Sequence, residues 1–165
     1  MATEPVTAYL GLGSNLGDRQ ANLDRALEFL SQRLRIKKIS SIYDSEPVGN
    51  IEQPRFLNLV CEVATNLPPM ALLALGKGIE NKLGRWGGPS GAPRTIDIDI
   101  LLYGDEVMDT PELTIPHPRL TKRAFVLVPL VEIAPKVKHP VTGQTAKEML
   151  KAAKEVQGVF KWEGE

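Results

Sequence analysis

The chain has 165 residues, 42% of them hydrophobic, a length and composition that fit one globular domain with a substantial core over residues 1–165. Its 20 Lys plus Arg balance 20 Asp plus Glu, so no overall field would recruit nucleic acid or an anionic membrane, and any anion site must be local. The start, MATEPVT, lacks a basic region followed by an apolar stretch, and no apolar run is long enough to span a bilayer; we therefore expect a cytoplasmic protein.

The first predicted elements are a strand, a helix and a second strand. Residues 6–13 are predicted as the first strand, and Asp18 is placed to cap the helix that follows. Four leucines of that segment fall on one stripe: Leu23, Leu27, Leu30 and Leu34. Residues 36–45 are predicted as the second strand, and residues 46–55, with two prolines and a glycine, as a loop.

The middle of the chain adds a third strand, a second helix and a fourth strand. Residues 56–65 are predicted as a strand in which Cys61, the only cysteine, is a small buried hydrophobe. A single cysteine excludes an internal disulfide and a thiolate-cluster metal site. The prolines at 68–69 would open a helix with a defined apolar stripe: Leu72, Leu75, Ile79 and Leu83. The fourth strand is expected over residues 95–103.

Beyond the fourth strand, the chain is predicted to turn at residues 104–105 and to return as far as Ile115. Residues 123–133 and 145–156 are predicted as helical. The order strand, helix, strand, strand, helix, strand is the split βαβ pattern of ferredoxin-like folds. We therefore predict an α+β fold, a ferredoxin-like βαββαβ sandwich with a mostly antiparallel sheet, helices on one face and the other face available for a site.

Two carboxylates in the fourth strand give the clearest chemical signal, in RTIDIDILLYG over residues 94–104. Because side chains two apart on a strand share a face, Asp97 and Asp99 should project together, opposite the isoleucines between them. Such a pair suits magnesium, which binds one or two carboxylates together with substrate phosphates and water. A solvated strand face without a metal is the alternative for so short a motif.

Arg85 and Arg94 flank the glycine-rich loop that precedes the carboxylates. Guanidinium groups suit bidentate phosphate contacts, although ordinary surface arginines would look the same in the sequence. The first glycine-rich loop, GLGSNLGD over residues 11–18, fails the dinucleotide fingerprint because Leu16 occupies the third glycine position. A tight turn from strand to helix accounts for it better.

The third strand offers an aromatic ring and an amide together. Phe56 and Asn58 share a face, beside the loop that contains Pro47, Val48 and Gly49. Stacking and amide hydrogen bonds would match a flat heterocycle with a donor and acceptor edge. The alternative is a partly buried phenylalanine with a structural asparagine.

Two histidines each precede a proline. His117 lies in IPHPRL, between prolines that favour an extended loop. Such a histidine can donate to a phosphate or simply occupy a turn, and the sequence leaves both open. His139 lies near no other candidate residue, so we assign it to structure.

Five segments, in this order and at these distances, resemble one family: GLGSNLGD, YDSEPVG with QPRFLN, IENKLGR, PRTIDIDILLYG and LTIPHPRLTKRAFVLVPLVEIAP. They span about residues 9–135 and resemble the 6-hydroxymethyl-7,8-dihydropterin pyrophosphokinase family of folate biosynthesis. The resemblance implies a ferredoxin-like fold and transfer of the terminal diphosphate of ATP to the pterin hydroxymethyl group, leaving AMP.

The resemblance also implies a role for each matching residue. Asp97 and Asp99 would hold two magnesium ions that bridge the ATP phosphates and offset the repulsion between the two carboxylates. Arg85 and Arg94 would contact the triphosphate and stabilise charge in the transition state. Further ATP-binding positions are Glu80, Ile100, Thr114, His117 and Arg123. Pterin-binding positions are Pro47, Val48, Gly49, Phe56, Asn58, Asp97 and Phe125.

The expected partners are these two small-molecule substrates, with no nucleic acid and no membrane, and we expect a monomer. A palm-like nucleotidyl transferase would also place paired aspartates on such a sheet, but it would release diphosphate, and the face shared by Phe56 and Asn58 argues against it. An RNA-binding ferredoxin-like domain would need exposed aromatics and a basic surface, whereas this chain has 5% aromatics and zero net charge.

Overall fold

The computed structural model describes residues 4–45, 55–84, 95–153 and 158–163. The strands are β1 Val6–Ser14, β2 Arg35–Ile39, β3 Tyr43–Ser45, β4 Phe56–Thr65, β5 Asp97–Tyr103, β6 Met108–Asp109, β7 Thr114–Ile115 and β8 Val159–Lys161. The helices are α1 Arg19–Ser31, α2 Pro69–Lys82, a 3-10 turn Leu120–Lys122, α3 Ala124–Ile133 and α4 Ala146–Ala152. Within these ranges, no helix is long and apolar enough to cross a membrane.

The main sheet is antiparallel at every pairing and runs in the order β5-β1-β4-β3-β8, with β2 also paired to β4. Helices α1 and α2 connect β1 to β2 and β4 to β5, as in the split βαβ arrangement. The predicted α+β, ferredoxin-like fold is therefore confirmed.

Local sequence signals explain how the first helices begin. Asp18 caps α1 because its carboxylate accepts from the Ala21 N–H at 3.1 Å. Pro69 opens α2, where its missing N–H costs no intrahelical hydrogen bond. Between β1 and α1, Gly17 adopts a φ of +72°, so the first glycine-rich loop is the tight turn that the sequence predicted. These helices pack on one face of the sheet, over alternate residues of β1, β4 and β5.

The opposite face of the sheet is partly covered, which corrects the prediction that helices lie on one face only. A second core cluster joins residues of the sheet to α3 and α4: Tyr9, Val60, Leu102, Leu127, Leu130 and Met149. Helix α3, with the sequence AFVLVPLVEI, is apolar except for the exposed Glu132 near its end. Such a helix must be buried rather than lie on the surface, so it occupies the face that the split βαβ unit leaves open.

Two further corrections concern short strands. The predicted second strand, residues 36–45, is divided into β2 and β3, and the return after β5 forms a separate β6–β7 pair. Strand β8 was not predicted, because three residues are too few to show a period of two. The predicted loop at 46–55 lies outside the described residues except for Arg55.

Candidate active site

One end of the partly covered sheet face brings together three of the predicted site residues, Asn58, Asp97 and Asp99. Across three neighbouring strands, Asn58 of β4 pairs with Gly13 of β1, and Gly13 pairs with Asp97 of β5. Adjacent strands lie about 4.8 Å apart, so this row spans about 10 Å. Asp99 is opposite Gly11, one step along the same face. The register thus places an amide and two carboxylates on one surface, separated by glycines.

Asp97 and Asp99 are half-buried and alternate with buried isoleucines along β5, which confirms the predicted alternation. Between them, the Ile98 N–H donates to Glu80 Oε2 at 2.8 Å. Glu80 is only 3% exposed, so its carboxylate fixes the β5 backbone midway between the two aspartates. Sequence reasoning had placed Glu80 at the nucleotide site and did not foresee this backbone contact.

Gly13 leaves room for the side chains of β4 to lean across β1. A methyl group at Gly13 would lie 2.8 Å from Asn58 Oδ1 and 3.5 Å from Phe56 Cδ1. Asn58 is buried, and its Nδ2 donates to Ser45 Oγ, which holds the amide in one orientation. Phe56 and Asn58 therefore share a face, as predicted, and that face is directed toward the row that ends at Asp97.

His117 is fixed at both ends. Its main-chain N–H donates to Leu101 O at 3.0 Å, which ties the loop to β5, and its ring Nδ1 accepts from the main-chain N–H of Arg119 at 3.1 Å. Burial, then the charges of Arg123 and Arg119, lower the pKa of His117 to about 4, against the opposing influence of Asp97. At neutral pH the imidazole is uncharged, and with Nδ1 accepting, its proton is on Nε2.

Arg123 precedes α3 and lies with its guanidinium carbon 5.4 Å from the ring centroid of Phe125. Burial lowers the pKa of Arg123, Asp99 and Asp97 raise it in part, and Arg119 lowers it further. These effects show that Arg123 lies within electrostatic reach of the two aspartates and of Arg119. Sequence reasoning missed Arg119, although its position two residues after His117 in HPR was the available signal.

The structure does not bring every predicted residue to this surface. Ile100 is buried in the core on the other face from Asp97 and Asp99, so its side chain does not reach them. Thr114 lies in β7, where its hydroxyl is 3.5 Å from Asp109 Oδ1. Five predicted residues lie outside the described ranges: Pro47, Val48, Gly49, Arg85 and Arg94. His139, assigned to structure, accepts at Nδ1 from the N–H groups of the turn that follows it.

The described carboxylates fit a cation that is shared with a substrate. No group of three or more His, Cys, Asp and Glu in the described ranges could enclose a metal ion. Two carboxylates on one open face match the usual coordination of magnesium, which retains several water ligands and completes its coordination shell with substrate phosphates.

Comparison with known proteins identifies the family. The sequence model of the 7,8-dihydro-6-hydroxymethylpterin-pyrophosphokinase family matches residues 9–135. The chain belongs to this family. That membership, with the named relatives below, confirms the predicted pyrophosphokinase activity in folate biosynthesis.

Curated relatives in this pyrophosphokinase family are similar over most of the chain. The 2-amino-4-hydroxy-6-hydroxymethyldihydropteridine pyrophosphokinase of Bacillus subtilis is 44% identical over 155 residues, covering 92% of this chain and 93% of the relative. The Aquifex aeolicus protein of the same name is 48% identical, covering 86% of this chain and 89% of the relative. The folic acid synthesis protein fol1 of Schizosaccharomyces pombe is 40% identical, but this chain spans 21% of its length.

Solved structures agree with the fold of the pyrophosphokinase family. Wild-type Plasmodium falciparum HPPK-DHPS, crystallised with pteroate, matches with a TM-score of 0.72 and 19% identity. The match covers 92% of this chain and 43% of that one, so the chain spans less than half of the Plasmodium protein.

Proposed function

We propose that Asp97 and Asp99 are the centre of a magnesium-dependent reaction in which the terminal diphosphate of ATP passes to the hydroxymethyl group of 6-hydroxymethyl-7,8-dihydropterin. The observation that carries the proposal is the row formed by Asn58, Gly13 and Asp97. It sets a heterocycle-binding amide about two strand spacings, or about 10 Å, from the first carboxylate. That separation suits a pterin whose hydroxymethyl arm reaches toward the phosphates.

On the phosphate side, Asp97 and Asp99 would hold two magnesium ions. When bound, these ions would offset the charge of the triphosphate and orient it. The half-buried positions of the carboxylates on an open face support this assignment. Glu80 contributes by keeping the strand between them fixed through the Ile98 N–H.

Cationic and neutral donors would surround the triphosphate. Arg123 supplies a permanent charge, and Arg85 and Arg94 are proposed to add two more guanidinium groups. His117 acts as a neutral donor through its Nε2–H, because Nδ1 is already occupied by the Arg119 N–H. Ile100 and Thr114 remain proposed nucleotide contacts. Ile100 would make its contact through main-chain atoms, because its side chain lies in the core on the other face.

On the pterin side, Phe56 and Phe125 would enclose the flat ring system, and the amide of Asn58 would bond its polar edge. The hydrogen bond from Asn58 to Ser45 fixes the amide before the substrate arrives, which lowers the entropic cost of binding. Asp97 lies at the end of the same row, so we propose that it also contacts the pterin arm. Pro47, Val48 and Gly49 are proposed to complete this pocket.

Catalysis then rests on position and charge, without a protein nucleophile. The pterin hydroxyl oxygen bonds to the β-phosphorus while the bond from that phosphorus to the bridging α-oxygen breaks. AMP departs with the bridging oxygen, and the hydroxyl proton passes to solvent. Holding the two substrates in line supplies the entropic part of the acceleration, and the cationic groups absorb the developing charge.

The remaining parts of the proposal concern partners and location. The two small molecules are the proposed partners of a monomer that binds neither nucleic acid nor membrane, and a cytoplasmic location is retained because ATP is supplied there. The single domain over residues 1–165 stays a prediction.

Chromatographic product analysis tests the reaction. With ATP, the pterin and magnesium, we expect AMP and the pterin diphosphate in equal amounts, and neither product when EDTA removes the metal. ADP would indicate transfer of one phosphoryl group. Free diphosphate would indicate the palm-like nucleotidyl transferase instead.

Substitution of the carboxylates tests the proposed metal site. Asp97→Asn and Asp99→Asn should each lower turnover by about a thousandfold or more, since each removes a metal ligand at the reacting phosphates. Their Tm values should stay close to that of the unmodified protein, because half-exposed side chains contribute little to packing. Asp105→Asn is the matched control, an exposed turn aspartate just beyond β5. Near-normal turnover in either site variant would contradict the assignment.

A further inference from the structure

We propose that the C-terminal strand β8 and Trp162 are positioning elements for the pterin side of the site, acting on Phe56 and Asn58 through Arg55 and β3. The inference rests on the proposed function, because it assigns the pterin to that pair. It concerns a part of the chain beyond residues 9–135, which the family comparison matches.

Strand β3 connects β8 to the pterin pair. On one edge Ser45 pairs with Phe56 and Tyr43 pairs with Asn58; on the other edge Ser45 pairs with Val159. Ser45 also accepts from the Asn58 amide through its hydroxyl. Because β3 has only three residues, its position depends on both neighbouring strands, β4 and β8. Strand β4 carries the pterin pair, so β8 is the neighbour that lies outside the site.

Arg55 ties the three strands together at the residue before Phe56. Its Nε donates to Asp44 in β3, and its Nη2 donates to Gly158 O, just before β8, at 3.0 Å. A guanidinium group can satisfy both acceptors at once because its donors form a planar fork. The direction in which the chain enters β4 at Phe56 is therefore set partly by the C-terminal segment.

Trp162 adds a second connection, through α1. Its main-chain N–H donates to Ile42 O at 2.8 Å, and its ring packs against the main core. The guanidinium carbon of Arg19, the first residue of α1, lies 5.3 Å from the centroid of that ring. Arg19 Nη1 in turn donates to Arg55 O at 2.9 Å. Trp162, Arg19 and Arg55 thus form a closed link around the start of β4.

The two halves of the site differ in their distance from this link. Phe56 and Asn58 lie on strand β4, whose partner β3 pairs with β8, whereas Asp97 and Asp99 lie on β5, on the far side of β1. Displacement of a positioned group by about 1 Å can cost about a hundredfold in rate or binding, so a small shift at β3 is enough to matter. The link should therefore affect the pterin and leave ATP nearly unchanged.

The experiment compares Trp162→Ala with Phe160→Ala, a residue of β8 whose side chain is 64% exposed. AMP release is the assay, and it gives two separate Michaelis constants, one for pterin and one for ATP. Both are measured at a temperature well below the Tm of each variant. For Trp162→Ala we expect the KM for pterin to rise about tenfold, and the KM for ATP to change by less than about twofold. Phe160→Ala should match the unmodified protein in both constants.

Arg55→Lys is the second variant, which decides the matter if Trp162→Ala does not fold. Lysine keeps the charge but loses the planar fork, so the same selective rise in the KM for pterin is expected. Equal changes in both constants, or no change in either, would overturn the inference. Absence of AMP with the unmodified protein would instead reject the proposed function, and the two failures are distinguishable.

Discussion

Gly13→Ala tests whether the close approach of β1 to the pterin pair is required. The added methyl group would lie 2.8 Å from Asn58 Oδ1, whereas an ordinary contact of this kind is 3.4 Å or longer. The amide must therefore move by about 0.5 Å or more, and overpacking of this kind costs about 1 to 3 kcal/mol. Because Ser45 holds the amide from the other side, the movement would also strain or break that hydrogen bond.

The effect should appear in both stability and substrate binding. For a chain of this length, a loss of about 1 to 3 kcal/mol lowers the Tm by roughly 3 to 10 °C, which calorimetry or dye-based melting would measure. A displaced amide should lose about 1 kcal/mol of pterin binding, equivalent to a rise of about fivefold in the KM for pterin. The KM for ATP should stay within about twofold.

Two other glycines provide matched controls. At Gly11, also in β1, the nearest atoms to an added methyl group belong to the side chain of Leu101, at 3.4 Å or more, so Gly11→Ala should be tolerated. At Gly78, inside α2, none of the described residues lies within 4 Å of an added methyl group, and Gly78→Ala should stabilise the protein by about 0.5 to 1 kcal/mol through helix propensity. A Gly13→Ala variant with unchanged Tm and unchanged KM for pterin would refute the argument.

Two further predictions concern groups outside the site. Burial raises the pKa of the Cys61 thiol to about 12, so iodoacetamide should label it at neutral pH only after denaturation; rapid labelling of the folded protein would contradict its place in the core. Burial of Glu132 opposes ionisation, but hydrogen bonds from Tyr43 and Ser41 outweigh it and lower the pKa of its carboxyl group. Its stabilising contribution is therefore complete above the ordinary value of 4.5 and is lost as the pH falls through the lower folded value. Glu132→Gln should cost about 1 kcal/mol at pH 7 in urea unfolding, and the difference should shrink toward pH 3; a difference independent of pH would reject the linkage.

Much of the site was predictable because its signals are local. A period of two along β4 and β5 is enough to put Phe56 with Asn58, and Asp97 with Asp99, whatever the rest of the chain does. The cap at Asp18 and the proline at the start of α2 likewise act within a few residues. The register that places these pairs on one surface is not local, since it depends on how β1 lies between β4 and β5.

The sequence by itself determined which side chains share a strand face, where the first helices begin, and the chemistry that paired carboxylates can support. Only the tertiary structure decided that α3 covers part of the second face, that Arg119 lies near His117 and Arg123, and that Arg55 bonds to Gly158, 103 residues away. The physical reason is range: periodicity and capping depend on neighbours within one or two turns. Packing and side-chain bonding between distant segments depend on which surfaces meet after the chain has folded.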